Sequence, residues 1–325
     1  MKLSIPKNTE LSAVIAFNKE IYPSRKGIEK SFDWRFFANP FQKNGIENSF
    51  ILLNESEIFG QFLLMGTKFL YNNIEYSGAW GTDYIIKEQY RGKGFGNMLA
   101  EKVMKSENHF DVNMSGISMK IHLTFDEKIV GKASKFIFVS RPFSLLKVFF
   151  KKQNPKPSKT ISEKFGNFIL KRDVENINFN FEFNEKNSVV FSRTKEFVQW
   201  RYFAETDKYF FFQNEKNNSY FVLRNVVWKS LNALLLVDYR YNFSAPNQFS
   251  EIIKTVKNIS KKLGKDVIIN VSSNTEEFPI LKKNLFFKSK NGMPIATNFQ
   301  QKIEKIYINF ADSDLEHFYG NSKWS

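Results

Sequence analysis

Arg91, Gly92, Lys93, Gly94, Phe95 and Gly96 stand together in the stretch EQYRGKGFGNMLAEKV, residues 88–103. Glycine at every second position spoils a strand and weakens a helix. The chemistry that rewards such a segment is anion binding. Successive backbone N–H groups point into one concavity, and glycine keeps side chains away from a close ligand. A helix is predicted from about Asn97 to Lys105. Its first turn adds unpaired N–H donors and the positive end of a dipole. Arg91 and Lys93 add charge, so the nest suits a phosphate or pyrophosphate. The P-loop pattern G-x-x-x-x-G-K-[ST] is absent. So is the dinucleotide fingerprint G-x-G-x-x-G, because these glycines recur every second residue.

The rest of the composition narrows the chemistry by exclusion. There is no cysteine among the 325 residues, which rules out disulfides, thiolate metal sites and a cysteine acyl-enzyme. The three histidines, His109, His122 and His317, show no metal-ligand spacing, and no metal is expected. The net charge is +15, but only 9 of the 48 basic residues are arginine. A lysine surplus spread along the chain reads as a solvated surface, and no nucleic-acid partner is expected. The first residues, MKLSIPKNTELSAVIAF, lack the apolar core of a signal peptide. No apolar run is long enough to span a membrane, and a cytoplasmic location is expected. The basic, apolar stretch RPFSLLKVFFKK, residues 141–152, reads as strand and linker packing rather than a membrane-surface segment.

The elements that position the glycine segment read as two similar halves. In the first, NTELSAVIAFNKEIY is a helix, and a shorter helix around IEKSFDWRFFAN ends before Pro40. SFILLN, IFGQFLLMGTKFLY and IEYSGAWGTDYII are strands, the first two joined by a hairpin at ESE. After the glycine segment and its helix come a strand at HFDVNMS, a helix at SMKIHLTFDEKI and a strand at SKFIFVSRPF. In the second half YFFFQNE, SYFVLRNVV and LNALLLVDYRY are strands, FSEIIKTVKNISKKLG is a helix, and KDVIINVS, PIATNF and KIYINF are further strands. The polar segment at 150–161, with two prolines, is the linker candidate. The halves share markers in chain order. WRFFA at 34–38 returns as WRYFA at 200–204, Asn54–Glu55 as Asn214–Glu215, Asp83–Tyr84 as Asp238–Tyr239, and Asp111–Val112 as Asp266–Val267. Such order indicates an internal duplication.

The pattern R-x-x-G-x-G at Arg91, Gly94 and Gly96, set between a strand and an amphipathic helix, resembles the coenzyme A pyrophosphate loop of the GCN5-related N-acetyltransferases, the GNAT superfamily. The ααβββ order before it and the β–α–β order after it match that family too. The resemblance implies an α+β fold with two GNAT-like domains, each a mixed, mostly antiparallel sheet flanked by helices. Residues 1–150 would form the domain with the loop, and 162–325 a degenerate second copy, in which Pro246 removes a backbone donor where the nest would form. It further implies that backbone N–H groups of Arg91, Gly92, Lys93, Gly94, Phe95 and Gly96 hold the pyrophosphate. Tyr84, Ile85 and Ile86 would pair with the pantetheine arm, and Asn113 and Ser115 would line the cleft.

The activity implied is direct acyl transfer from acetyl-coenzyme A to the amine of a small polar acceptor, an amino sugar being one analogy. Asp83 is the candidate base, with Thr82 and Tyr84 beside it. The tyrosine that many family members use as general acid is replaced by Phe125, which cannot donate a proton, and His122 is a remote substitute. Asp238 holds the place of Asp83 in the half without a phosphate loop, which favours a structural role for both. The paired Trp34–Arg35 and Trp200–Arg201 read as packing anchors. A non-catalytic coenzyme A-binding protein and an aminoacyl-tRNA-dependent transferase are the alternatives. A monomer or homodimer is expected.

Overall fold

The first half opens with four antiparallel strands, β1 (Lys2–Ser4), β2 (Phe50–Asn54), β3 (Glu57–Tyr71) and β4 (Ile74–Ile86). The chain reverses at Glu55 and at Asn72–Asn73, all at positive φ. Asparagine tolerates that region better than most residues, so the hairpin between β3 and β4 forms where it stands. The computed structural model describes residues 1–106, 108–146, 161–179, 181, 185–204 and 208–318. Residues 147–160, most of the expected linker, lie outside the described residues.

Two helical layers cover this sheet. On one face α1 (Leu11–Ile21) and α2 (Ile28–Phe32) bury Val14, Phe17, Ile28 and Phe32 against Ile51 and Leu63. On the other, α3 (Phe95–Met104) packs Leu99 and Val103 on Phe59, Phe62 and Leu64. Strand β5 (His109–Val112) runs parallel to β4, and α4 (Gly116–Leu123) follows. The predicted helix at 118–129 therefore ends early. Its C-cap is Thr124, and Asp126 at φ 61 turns the chain into β6 (Lys128–Val139).

The second half builds β7 (Lys164–Phe165), β8 (Phe168–Lys171), β9 (Ser188–Phe191), β10 (Tyr209–Asn214), β11 (Tyr220–Trp228), β12 (Leu231–Arg240) and β13 (Val267–Ser272). A short helix α5 (Lys195–Val198) precedes β10, and α6 (Pro246–Leu263) joins β12 to β13. Helix α6 lays Phe249, Ile252, Ile253, Val256 and Ile259 on that sheet, apolar positions at helical spacing. It ends at Gly264 in the left-handed region. Three short strands follow: β14 (Phe287–Lys288), β15 (Met293–Thr297) and β16 (Lys305–Tyr307).

The halves share one sheet, in the order β1-β2-β3-β4-β5-β15-β6-β13-β12-β11-β10-β8-β7. β15, from near the end of the chain, lies between β5 and β6 of the first half, antiparallel to both. The first part of β6 pairs with β15, and its last part pairs with β13. β9 adds to β3. One core accordingly gathers Trp34, Phe69, Trp80 and Phe110 with Phe191, Trp200, Ile269 and Ile295. The result is an α+β architecture: a mixed, mostly antiparallel sheet flanked by helices.

The repeated WR(F/Y)FA segments meet at the centre. Each forms a π-helical turn, Asp33–Phe37 and Gln199–Phe203. The indoles of Trp34 and Trp200 stack at 4.4 Å, the Trp200 indole N–H donates to the Trp34 carbonyl at 2.9 Å, and Arg201 lies over the Trp34 ring. Both tryptophans are packing residues here.

Candidate functional site

The glycine segment bends where its sequence requires. Gly92 (φ 74) and Gly94 (φ 83) occupy the left-handed region, with open space where a Cβ would stand. Backbone conformation, not crowding, explains them. Gly96 differs. It sits inside α3, and a Cβ there would lie 2.8 Å from the Tyr84 hydroxyl. The helix begins at Phe95, two residues earlier than predicted, with Gly94 as N-cap. Its first bond back into the loop runs from the Met98 N–H to the Gly94 carbonyl. The amides before Met98 face outward without that partner. Tyr90 and Phe95 pin the loop to Phe59, with ring centroids 4.4 and 5.0 Å away. Arg91 folds back, its Nε donating to the Ile86 carbonyl at 3.0 Å.

A cavity of about 810 Å³ opens beside this loop. Tyr84, Ile85, Ile86, Arg91, Gly92, Gly94, Phe95, Gly96 and Ser115 line it, as do Tyr90, Asn97, Ile117, Ser118 and Ile121, which the sequence reading did not single out. Lys93, Asn113, Asp83 and His122 are not in the lining. Lys93 lies over the Tyr90 ring, and Asn113 is an exposed residue at φ 60. Ser115 caps α4 by accepting from the Ser118 N–H.

The cavity exists because β4 and β5 part company. Their pairing is confined to Ala79 with His109 and Trp80 with Phe110, and β4 continues to Ile86 without β5. β4 also bulges. Gln61 faces Ile85 and Leu63 faces Thr82, so Asp83 and Tyr84 together oppose Phe62. A bulge of this kind takes residues out of the ladder and re-aims them. Asp83, at φ 48, turns away from the cavity into a double ion pair, 2.7 Å from Arg35 and 2.9 Å from Arg25. Burial alone would raise its carboxyl. The two guanidiniums outweigh burial and hold it below the ordinary carboxylate range. A carboxylate so held is a poor proton acceptor, and the geometry gives Asp83 the job of locking the bulge to the helical layer.

The fold that carries this arrangement is similar to that of solved structures. A GCN5-related N-acetyltransferase from Anabaena variabilis superimposes with a TM-score of 0.59 at 11% identity, over 91% of this chain and 72% of that one. Saccharomyces cerevisiae N-myristoyltransferase with bound myristoyl-CoA gives 0.60 at 12% identity, over 93% and 83%. A GCN5-related N-acetyltransferase from Kribbella flavida gives 0.56 at 11%, over 91% and 71%. The chain has the GNAT fold. By sequence no family model and no curated protein matches it.

On this GNAT fold the expected general-acid helix carries something else. His122 is buried, not on the surface, and its Nδ1 lies 2.6 Å from Glu127 Oε2. His109 and Asp111, from β5, complete a cluster with them. His109 Nε2 is 3.4 Å from Asp111 Oδ2 and 3.3 Å from Glu127 Oε1, and His122 Nδ1 is 3.5 Å from Asp111 Oδ2. Burial pushes the Asp111 carboxyl up to about 7. The Glu127 carboxyl, despite its own burial, is held down to about 2 by the two imidazoles. Gly81 makes the arrangement possible, since a Cβ there would overlap Asp111 Oδ1. Both nitrogens of His109, Asp111 Oδ2, His122 Nε2 and Glu127 Oε1 are buried without a hydrogen-bond partner. Tyr84 separates the cluster from the loop. Its ring is 5.5 Å from that of His122, and its hydroxyl is likewise buried and unpartnered. Sequence reasoning missed this cluster because its members are spread over a strand, a helix and the connection that leads into β6. The one legible hint was His-x-Asp on a strand, which places both side chains on one face.

The end of β12 in the second half carries a hydrogen-bonded core. Tyr239 and Tyr241 donate to Glu277 at 2.6 and 2.9 Å, and Phe243 packs on Tyr307. Asp238 is ion-paired with Arg193 at 2.9 Å and accepts from Tyr202 and Tyr220. Among the described residues no helix is long and apolar enough to cross a membrane. Of the 141–152 stretch, residues 142–145 form a 3-10 turn with Phe143 exposed, and 147–152 lie outside the described residues.

Proposed function

We propose that the chain is an acyl-CoA-dependent N-acyltransferase, using acetyl-coenzyme A and a small polar amine, an amino sugar being the analogy. The observation that carries the reading is the cavity where β4 and β5 separate. It is floored by Tyr84–Ile86 and closed by the Gly92/Gly94 turn and the amino end of α3. The turn and helix amides bind the diphosphate. The exposed edge of β4 pairs with the pantetheine amides and aims one N–H at the thioester oxygen. The amine nitrogen attacks the thioester carbon, the C–S bond breaks, and the ammonium proton leaves to solvent while the thiolate is protonated.

The shared π-turns, bulges and buried aspartates of the two halves support the reading of a duplicated GNAT unit. In it the second half has exchanged its ligand cavity for a tyrosine–glutamate core. A second functional reading, coenzyme A binding without turnover, is favoured by one observation: the candidate base Asp83 is held by two arginines.

Calorimetry with acetyl-coenzyme A on the wild type and on Gly94→Pro tests the first step. Binding by the wild type alone is expected, and no binding by either sinks both readings. Thiol release across a panel of amines then separates them, since binding without release favours the non-catalytic one.

A further inference from the structure

The cluster at the fork of β4 and β5 has the makeup of a metal centre. We propose that His109, Asp111, His122 and Glu127 bind one divalent first-row transition ion, zinc being the best geometric fit. The donor set is two imidazole nitrogens and two carboxylates, all buried, with their ligand atoms within 4.8 Å of one another. Tetrahedral zinc with bonds of about 2.0–2.2 Å to nitrogen and oxygen requires donors roughly 3.3–3.5 Å apart. Of the six donor pairs, three lie at that separation, at 3.4, 3.3 and 3.5 Å. His122 Nδ1 with Glu127 Oε2 is a direct hydrogen bond at 2.6 Å that the ion would replace.

Electrostatics argue the same way. Two carboxylates neutralise a dication, so the loaded site adds no net charge to the interior. Without an ion, His109 Nδ1 and Nε2, Asp111 Oδ2, His122 Nε2 and Glu127 Oε1 make no hydrogen bond, which costs about 1–3 kcal/mol for each unsatisfied group.

The site is closed, with four protein ligands, so its role is structural rather than catalytic. The ion ties β5, the end of α4 and the start of β6 into one unit. Helix α4 contributes Ser115, Ile117, Ser118 and Ile121 to the cavity wall, so the ion would hold that wall in place. The end of β15 supports the arrangement. Thr297 Oγ1 donates to the His109 carbonyl at 2.6 Å, and the His109 N–H donates to Asn298 Oδ1 at 2.8 Å.

The test uses the full chain, stripped with a chelator and titrated with zinc chloride against a chromophoric competitor, and separately with cobalt chloride. One equivalent of zinc per chain is expected, with the melting temperature rising as free zinc rises. Cobalt should give the intense visible bands of a tetrahedral site. Asp111→Asn and Glu127→Gln should lose the equivalent and the melting shift, while His317→Gln keeps both. The proposal is overturned if the wild type takes up neither ion. It is equally overturned if the Asn and Gln variants bind as the wild type does. Should those variants fail to fold, the cobalt spectrum of the wild type decides alone. None of these readouts requires acyl transfer, so their outcome is independent of the proposed activity.

Discussion

Gly94 and Gly96 look alike in the sequence and do different work. Gly94 has room for a side chain and the wrong φ for one. Forcing a non-glycine residue into that region costs roughly 1–2 kcal/mol, and relaxing it moves the amides that form the nest. Gly94→Val should therefore leave the fold intact by circular dichroism and weaken acetyl-coenzyme A binding by about tenfold or more in calorimetry. Gly96 has an ordinary φ and no room. Gly96→Ala drives its methyl into the Tyr84 hydroxyl and should lower the melting temperature. The double variant Gly96→Ala/Tyr84→Phe should recover most of that loss, because it removes the atom that clashes. A double-mutant cycle measures the coupling, and additive losses would refute the contact. At this scale the glycine loop was legible, since its residues are contiguous and their backbone demands are local. The cluster of His109, Asp111, His122 and Glu127 was not, because only tertiary packing brings it together.

Asp83 and Asp238 each anchor a bulged strand through buried ion pairs with arginine, and the consequence is readable in acid. Asp238 is buried, but Arg193 and Arg240 outweigh burial and lower its carboxyl to about 2. Its folded value lies below its unfolded one. The stabilisation is thus complete above the unfolded value, about 3.9, and disappears as pH falls through 2. By linkage it amounts to about 2 kcal/mol at neutral pH. Urea melts of the wild type should lose stability steeply between pH 4 and pH 2, and Asp238→Asn should flatten that slope. At pH 7 the same variant leaves the buried Arg193 with Asp312, 2.8 Å away, as its carboxylate partner and should cost about 1–3 kcal/mol. The repeat made Asp83 and Asp238 conspicuous as a pair, and pairing pointed to structure rather than catalysis. Element ends were less legible. α3 starts at Phe95 because Gly94 caps it from the left-handed region, and α4 stops at Leu123 because Asp126 turns the chain. Neither event leaves a periodic signal in the sequence.

The two halves were legible as similar, but their strand exchange was not. β15 reads like any short apolar strand, and nothing local says that its partners are Val112, Asp111 and Phe110 on one side and Ala133 to Lys128 on the other. Residues 1–146 expressed alone should lack a cooperative melt and bind hydrophobic dyes. Co-expression with residues 161–318 should restore both fold and ligand binding. A cooperative melt from the first fragment alone would contradict the role given to β15. The central tryptophan stack makes a related prediction: Trp200→Ala should destabilise the whole chain by about 3–5 kcal/mol in one transition, not the second half alone. The placement of β15 also has a meaning for biosynthesis. At about 5–20 residues per second, β5 emerges from the ribosome roughly ten to forty seconds before the strand that must lie beside it. During that interval the glycine loop exists, but the wall behind the cavity has an open edge. A nascent or prematurely terminated chain is thereby denied a finished cavity, and under the proposed function coenzyme A binding would report that translation ran past Thr297.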